Sequence, residues 1–240
     1  LAISYPIDTP TTIGIESIEL RAVNAVATSQ SPFTYKQQVV AHPGQRWEAS
    51  VNIPRVRRDL AAEWKAFLTA LRGKQGTFLL GDPDYTAPRG KAKDYTAPAE
   101  GKILLENGDS LLLEGGSSLL FEEGAITNLF VDGGYQAGDE LSVNGGPANV
   151  QGYLLAGDYI QIGSGSGANL HQILVDAGTD SLGKMTLDIW PSLRHSPADA
   201  TQVGLIDPKG VFRLKSNVST WSINNSSAYS ISFEAIEVIT

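Results

Sequence analysis

The stretch Gln45–Asp84, QRWEASVNIPRVRRDLAAEWKAFLTALRGKQGTFLLGDPD, decides how the chain is read. Trp47, Ala49, Val51 and Ile53 alternate with Arg46, Glu48, Ser50 and Asn52. A period of two gives a strand with one apolar and one polar face. Pro54 has no N–H to donate and is expected to end that ladder. Leu60, Trp64, Phe67, Leu68 and Leu71 follow at helical spacing, which predicts a helix from about Arg57 to Arg72 with a single apolar stripe. Asp59 near its start and Arg72 near its end suit the helix dipole, and Gly73 supplies a left-handed cap. Thr77–Leu80 is the next predicted strand, and Gly81-Asp82-Pro83 turns out of it. The stripe is the face by which the helix lies on a sheet. Trp47, Trp64, Phe67 and Phe78, with Phe233 far down the chain, are the expected joint core of sheet and helix.

Upstream, Leu1–Thr12 is punctuated by prolines and reads as an extended arm. Ile13–Ala27 is a predicted strand with an irregularity near Glu16, and Ser29-Gln30-Ser31-Pro32 is a turn. Phe33–Ala41 alternates as a second strand, and the turn signal His42-Pro43-Gly44 makes it the hairpin partner of the Trp47 strand.

Downstream, the character changes. Asp84-Tyr-Thr-Ala-Pro88 recurs as Asp94-Tyr-Thr-Ala-Pro98 across a basic linker, Arg89–Lys93. Leu104-Leu-Glu106, Leu112-Leu-Glu114 and Leu120-Phe-Glu122 then recur with glycines between or after them, predicting three short strands in a meander. That beat is too short for a helical solenoid. Asn128–Asp132, Glu140–Val143, Asp158–Ile162, Leu170–Val175 and Lys184–Trp190 are candidate strands separated by glycine turns, the pattern of a small barrel. Pro191–Val203 reads as a loop. Tyr229, Ile231, Phe233 and Ala235 return to the long alternation of the first eighty or so residues, after the turn Asn224-Asn225. The expected organisation is therefore discontinuous: residues 1–84 and 207–240 form one β unit with a helix, 85–124 a linker with hairpin repeats, and 125–206 an inserted small barrel.

Composition narrows function. The 240 residues carry a formal charge of −8, which argues against a nucleic-acid-binding surface as the main business. Without cysteine there is neither a disulfide nor a thiolate metal site. Few charges and many turn residues suit an all-β chain. No apolar run reaches transmembrane length and no signal-type segment opens the chain. His42, His171 and His195 form no metal-binding spacing. Gly163-Ser-Gly-Ser-Gly167 has the letters of a nucleophile elbow, but no helical pattern follows it, and it lacks the ending of a phosphate loop. Asp82, Asp84, Asp132, Asp139 and Glu140 could supply oxygen ligands to calcium, without EF-hand spacing. Tyr153, Tyr159 and Trp190 offer stacking faces for a glycan, the alternative being places in the barrel core or rim. No catalytic, cofactor or metal residue is assigned.

Three groups of residues carry a resemblance. Glu63-Trp-Lys-Ala-Phe67, Leu71-Arg-Gly73, Gly76-Thr-Phe78 and Leu80-Gly-Asp-Pro83 form the first. Ala156-Gly-Asp-Tyr-Ile160 and Ile189-Trp-Pro-Ser-Leu-Arg194 form the second, and Gly210-Val-Phe-Arg-Leu214 the third. In these the chain resembles distal tail and tail-tip hub proteins of long-tailed bacteriophages. The resemblance implies a mainly β fold: a tail-tube-like β-sandwich flanked by one α-helix, with an inserted small β-barrel domain. It also implies a non-enzymatic virion protein without cofactor, made in the host cytoplasm. Copies would form a ring, commonly a hexamer, between the tube and neighbouring tail-tip hub proteins, with DNA only as passing cargo and no membrane insertion. An acidic lumen would repel that DNA. A carbohydrate-binding adhesin module is the second expectation, and a hydrolase the weakest.

Overall fold

The computed structural model describes residues 3–96, 100–102, 120–122, 129–225 and 227–239. In chain order the elements are β1 (Ser17–Gln30), β2 (Gln37–Val56), α1 (Arg58–Ala70), β3 (Phe78–Leu80), α2 (Lys93–Thr96), β4 (Glu100–Lys102) and β5 (Leu120–Glu122). There follow β6 (Leu129–Val131), β7 (Gly138–Asn144), β8 (Tyr159–Ile162), β9 (Asn169–Ile173), β10 (Met185–Leu193) and β11 (Gln202–Gly204). The last three are β12 (Gly210–Leu214), β13 (Trp221–Ile223) and β14 (Tyr229–Glu237). The fold is mainly β, with one long helix, a six-stranded sheet and a closed six-stranded barrel.

The sheet runs β1-β2-β14-β12-β3, with β13 beside β12 on the same edge of β14. Its strands come from both ends of the chain, and the barrel strands come from between them. The strands join in one hydrogen-bonded sheet, and α1 supplies an opposing layer over one face. On that face Trp47, Ala49, Val51 and Ile53 pack with Ala61, Trp64, Phe67, Leu68 and Leu71. Trp64 lies edge-on to Phe67, and Phe67 edge-on to Phe78. Phe233 is partly buried and touches all three rings. Leu60, expected in the stripe, instead lies on the helix flank, 44% exposed. The helix stops at Ala70, two residues before the expected end, because Arg72 and Gly73 both turn left-handed. A Cβ at Gly73 would meet the Asn217 backbone at 2.9 Å.

Two prolines that read as breaks do not break β2. The expected turn at His42-Pro43-Gly44 lies inside the strand, and the hairpin turn is at Ser31–Lys36. Opposite residues 42–44, β1 offers only Ala25, between the pairs Asn24↔Gln45 and Val26↔Ala41. A bulge thus absorbs the residue that cannot donate. Likewise Pro54 and Arg55 lie between the pairs Ile231↔Ile53 and Tyr229↔Val56, where the β14 register shifts. The irregularity expected near Glu16 sits at Asn24/Val26 instead.

The barrel closes in the order β10-β7-β6-β11-β8-β9. Five of its strands overlap the predicted ones; the sixth, β11, lies at the end of the segment expected to be a loop. Among the described residues its core is mostly aliphatic, with Tyr153 the one ring: Leu129, Val131, Leu141, Val143, Ile160 and Leu187 are fully buried. The Gly163–Gly167 run is a turn containing one short 3-10 helix, Gly165–Gly167. Of the leucine–glutamate repeats, residues 104–106 and 112–114 lie outside the described residues; residues 120–122 form β5, paired with β4. The second Asp-Tyr-Thr-Ala-Pro copy also extends beyond them.

Candidate functional site

One face of the sheet is covered twice, by α1 and by the barrel, which meets it around Trp47. The Trp47 ring lies 4.5 Å from Trp190, edge-on, and 5.9 Å from Tyr159. Its Nε1 donates to Leu170 O at 3.0 Å, and Trp190 Nε1 donates to Asn24 Oδ1 at 2.8 Å. Beside these rings Glu237, 4% exposed, accepts the Trp47 N–H at 2.8 Å and both terminal nitrogens of Arg194 at 2.7 Å. Arg194 also donates to Gln45 O, and Gln45 Oε1 accepts from Ser192 N at 2.7 Å. An acid buried against a forked cation, with its other oxygen contacts filled, fixes orientation as well as attraction. The linker leaving β3 is pinned to the barrel too: fully buried Asp158 accepts from Arg89 N and Nε, and Lys91 N and Ala92 N donate to Gly152 O and Tyr153 O. A Cβ at Gly90 would meet Tyr153 O at 2.3 Å, so this approach requires glycine.

The other face of the sheet is open. Facing residues line up as Ser17, Asn52 and Ser232; Glu19, Ser50 and Glu234; Arg21, Glu48 and Ile236. The acids of these rows are paired: Arg21 holds Glu19 at 3.0 Å, Arg46 and Lys215 hold Glu48 at 2.5 and 3.2 Å, and Lys215 also reaches Glu234. Hydrogen bonds from Arg46 and Lys215 hold the Glu48 carboxyl below its usual range against burial. This face is therefore charge-balanced, not acidic. The acid excess lies in the barrel segment, 129–206, which carries Asp132, Asp139, Glu140, Asp158, Asp176, Asp180, Asp188 and Asp199 against Lys184 and Arg194.

Beyond the bulge, β1 and β2 continue as a ribbon exposed on both faces. Val26, Val39 and Val40 are half or more exposed along it, or nearly so, and Phe33 and Tyr35 at its tip are 92% and 74% exposed. The tip is ordered by its own bonds: Ser31 N donates to Lys36 O, Tyr35 N to Ser31 O, and Ser31 Oγ accepts from Phe33 and Thr34. The outer edge of β1 ends the sheet on one side, and β13 exposes Trp221 and Ile223 on the other. The β3 edge is covered by Ile7, which donates to Thr77 O and accepts from Leu79 N.

The glycan-stacking residues are not brought together as a platform. Tyr153 is wholly buried in the barrel core, so it offers no face. Tyr159 and Trp190 spend their faces on Trp47, and Tyr159 also on Tyr85. An aromatic on a short barrel strand reads alike whether it meets a sugar or a second unit. The expected calcium oxygens are dispersed: Asp132 is held by Lys184 and Asn144, Asp82 accepts from Asp84 N, and Asp139 accepts from Ser192 Oγ. Among the described residues no cluster of three or more ligating side chains could hold a metal, and no helix is long and apolar enough to cross a membrane. The Arg194–Glu237 joint was missed in the sequence, although Glu237 continues the buried phase of Phe233 and Ala235 and is the acid out of place there. Compared with models of known protein families and with curated proteins, the chain matches none.

Proposed function

We propose that this chain is a non-enzymatic structural protein of a long-tailed bacteriophage, whose copies close into a ring, six by expectation, at the distal end of the tail tube. In this reading it joins tube to tail-tip proteins, with DNA as passing cargo. The carrying observation is the pair of open sheet edges. β1, β2, β14 and β13 alternate in direction throughout, so the β13 edge of one copy can receive the β1 edge of the next with the antiparallel alternation unbroken. Such a contact is heterologous, and heterologous contacts close into rings when their rotation permits. An unpaired edge favours partners of this kind. The exposed Phe33–Tyr35 ribbon gives each copy an apolar reach beyond its own sheet. The barrel, docked on the helix side, would then lie outside, and the charge-balanced face would line the channel, offering passing phosphate neither strong attraction nor strong repulsion.

Light scattering on the purified chain, with negative-stain micrographs, tests this directly. Closed rings of one size are expected. A monomer that persists at high concentration ends the reading.

A further inference from the structure

A cleft of about 140 Å³ opens in the barrel wall between the Gly163–Gly167 turn and the segment after β10, and the ring reading makes no use of it. Ile162, Leu193 and Pro197 give it apolar surface, and Asn169, His171 and Arg194 give it polar groups. His171 is 3% exposed. Its Nδ1 lies 2.7 Å from Pro191 O, and a carbonyl can only accept, so the neutral ring carries its proton there. Nε2 is then a lone-pair acceptor, and no donor from the described residues is bonded to it. Asn169 has a similar balance: Nδ2 donates to Gly167 O at 2.9 Å, which leaves Oδ1 as a second acceptor. Both residues line the open cleft, so this wall suits a ligand that brings hydrogens.

Charge selects among such ligands. Arg194 lines the same cleft and disfavours a cation. Its guanidinium is already committed to Glu237, and the surrounding barrel is rich in acids, which disfavours an anion. We infer that the cleft binds a neutral polyhydroxylated ligand of single-sugar size, its hydroxyls donating to His171 Nε2 and Asn169 Oδ1 and its C–H face resting on Leu193 and Ile162. The volume is that of about four or five waters, so the open cleft seats one face of a single sugar ring and leaves the rest of it in solvent. Burial, aided by Arg194, lowers the His171 pKa to about 4, so the acceptor persists at neutral pH.

The test is a titration of the full chain, labelled with ¹⁵N-histidine, with glucose, galactose and N-acetylglucosamine and with their methyl glycosides. The His171 Nε2 resonance should move saturably, with half-saturation at roughly millimolar sugar, as about a dozen heavy atoms at ordinary ligand efficiency give. Response to the methyl glycosides would assign the terminal unit of a glycan; response to the free sugars alone would assign a free sugar. Asn169→Leu should weaken the response by up to about tenfold, the worth of one hydrogen bond, with the melting curve lowered only by the loss of its own bond to Gly167 O. Silence of Nε2 toward every sugar overturns the inference. So does a larger response to acetate, inorganic phosphate or ammonium, or an Asn169→Leu protein that binds unchanged. None of these outcomes bears on whether copies form a ring.

Discussion

The sheet unit and the barrel meet the same requirement, burying apolar side chains under β structure, in opposite ways. The sheet unit uses long strands and large rings: Trp47, Trp64, Phe67, Phe78 and Phe212 fill one face, under a helix and a neighbour. The barrel uses short strands and aliphatic residues and closes upon itself. Closure consumes every strand edge. A one-sided sheet leaves an open face, two edges and, here, a ribbon. Of the two units, the open strand edges that could engage other copies therefore belong to the sheet unit.

The strongest way to break this contrast is to remove its central ring. Trp64 is 1% exposed, touches Phe67 and Phe233, and donates to Ile13 O. Trp64→Ala should cost about 3–5 kcal/mol in denaturant melts. Amide exchange should rise in β2 and β14 before it rises in the barrel strands. A loss below roughly 1 kcal/mol would show that the aromatic face is not what holds the sheet.

The barrel has its own sensitivity, to acid. His171 is buried against Pro191 O and near Arg194, and burial lowers its pKa from 6.5 to about 4. The folded state therefore prefers the neutral ring. Above pH 6.5 the ring is neutral in both states and stability is complete. As pH falls from 6.5 to 4, only the unfolded chain takes up the proton, and stability drops by about 3 kcal/mol before levelling. Urea melts at neutral and mildly acidic pH should show this slope in the natural chain and a flatter one in His171→Asn. Equal slopes would mean that other groups carry the acid sensitivity.

Sharpening the contrast requires separating the two units. Glu237→Gln leaves Arg194, largely buried, without its counter-ion while keeping the shape of the side chain. Losing a charged hydrogen-bond set of this kind costs about 2 kcal/mol. The expected signature is two unfolding transitions in place of one, with the Trp47 and Trp190 rings separating in the first. A single transition shifted as a whole would mean that the units are coupled elsewhere.

What could be read from the residues follows the same division. Alternation at Trp47–Ile53 and helical spacing at Trp64–Leu71 are long, regular signals, and both elements stand where they point. Pro43 and Pro54 misled because a missing donor can be absorbed by a bulge, a fact of pairing that one strand's sequence does not contain. β11 escaped because Gln202–Gly204 offers a single apolar side chain, Val203, and takes its place by closing the barrel. Tyr159 and Trp190 were legible as partly exposed aromatics on a barrel, but not as partners of Trp47, more than a hundred residues away. Contacts of that range depend on how two units dock, and neither unit's periodicity encodes it.

The smallest expected effect on the fold tests the largest claim. Phe33 and Tyr35 touch solvent over most of their surface, and the turn that carries them is held by Ser31 and Lys36 rather than by the rings. Replacing both with serine should leave the melting curve within about 0.5 kcal/mol of the original, as for exposed positions generally. If the ribbon reaches a neighbouring copy, the same change removes two large apolar anchors from that interface. Light scattering should then show smaller species at concentrations where the natural chain assembles. Unchanged stability with unchanged assembly would exclude the ribbon from the interface and leave the β1 and β13 edges to carry it. A drop in stability would mean that the rings pack within their own copy, and the contrast between an outward-reaching sheet unit and an enclosed barrel would no longer hold.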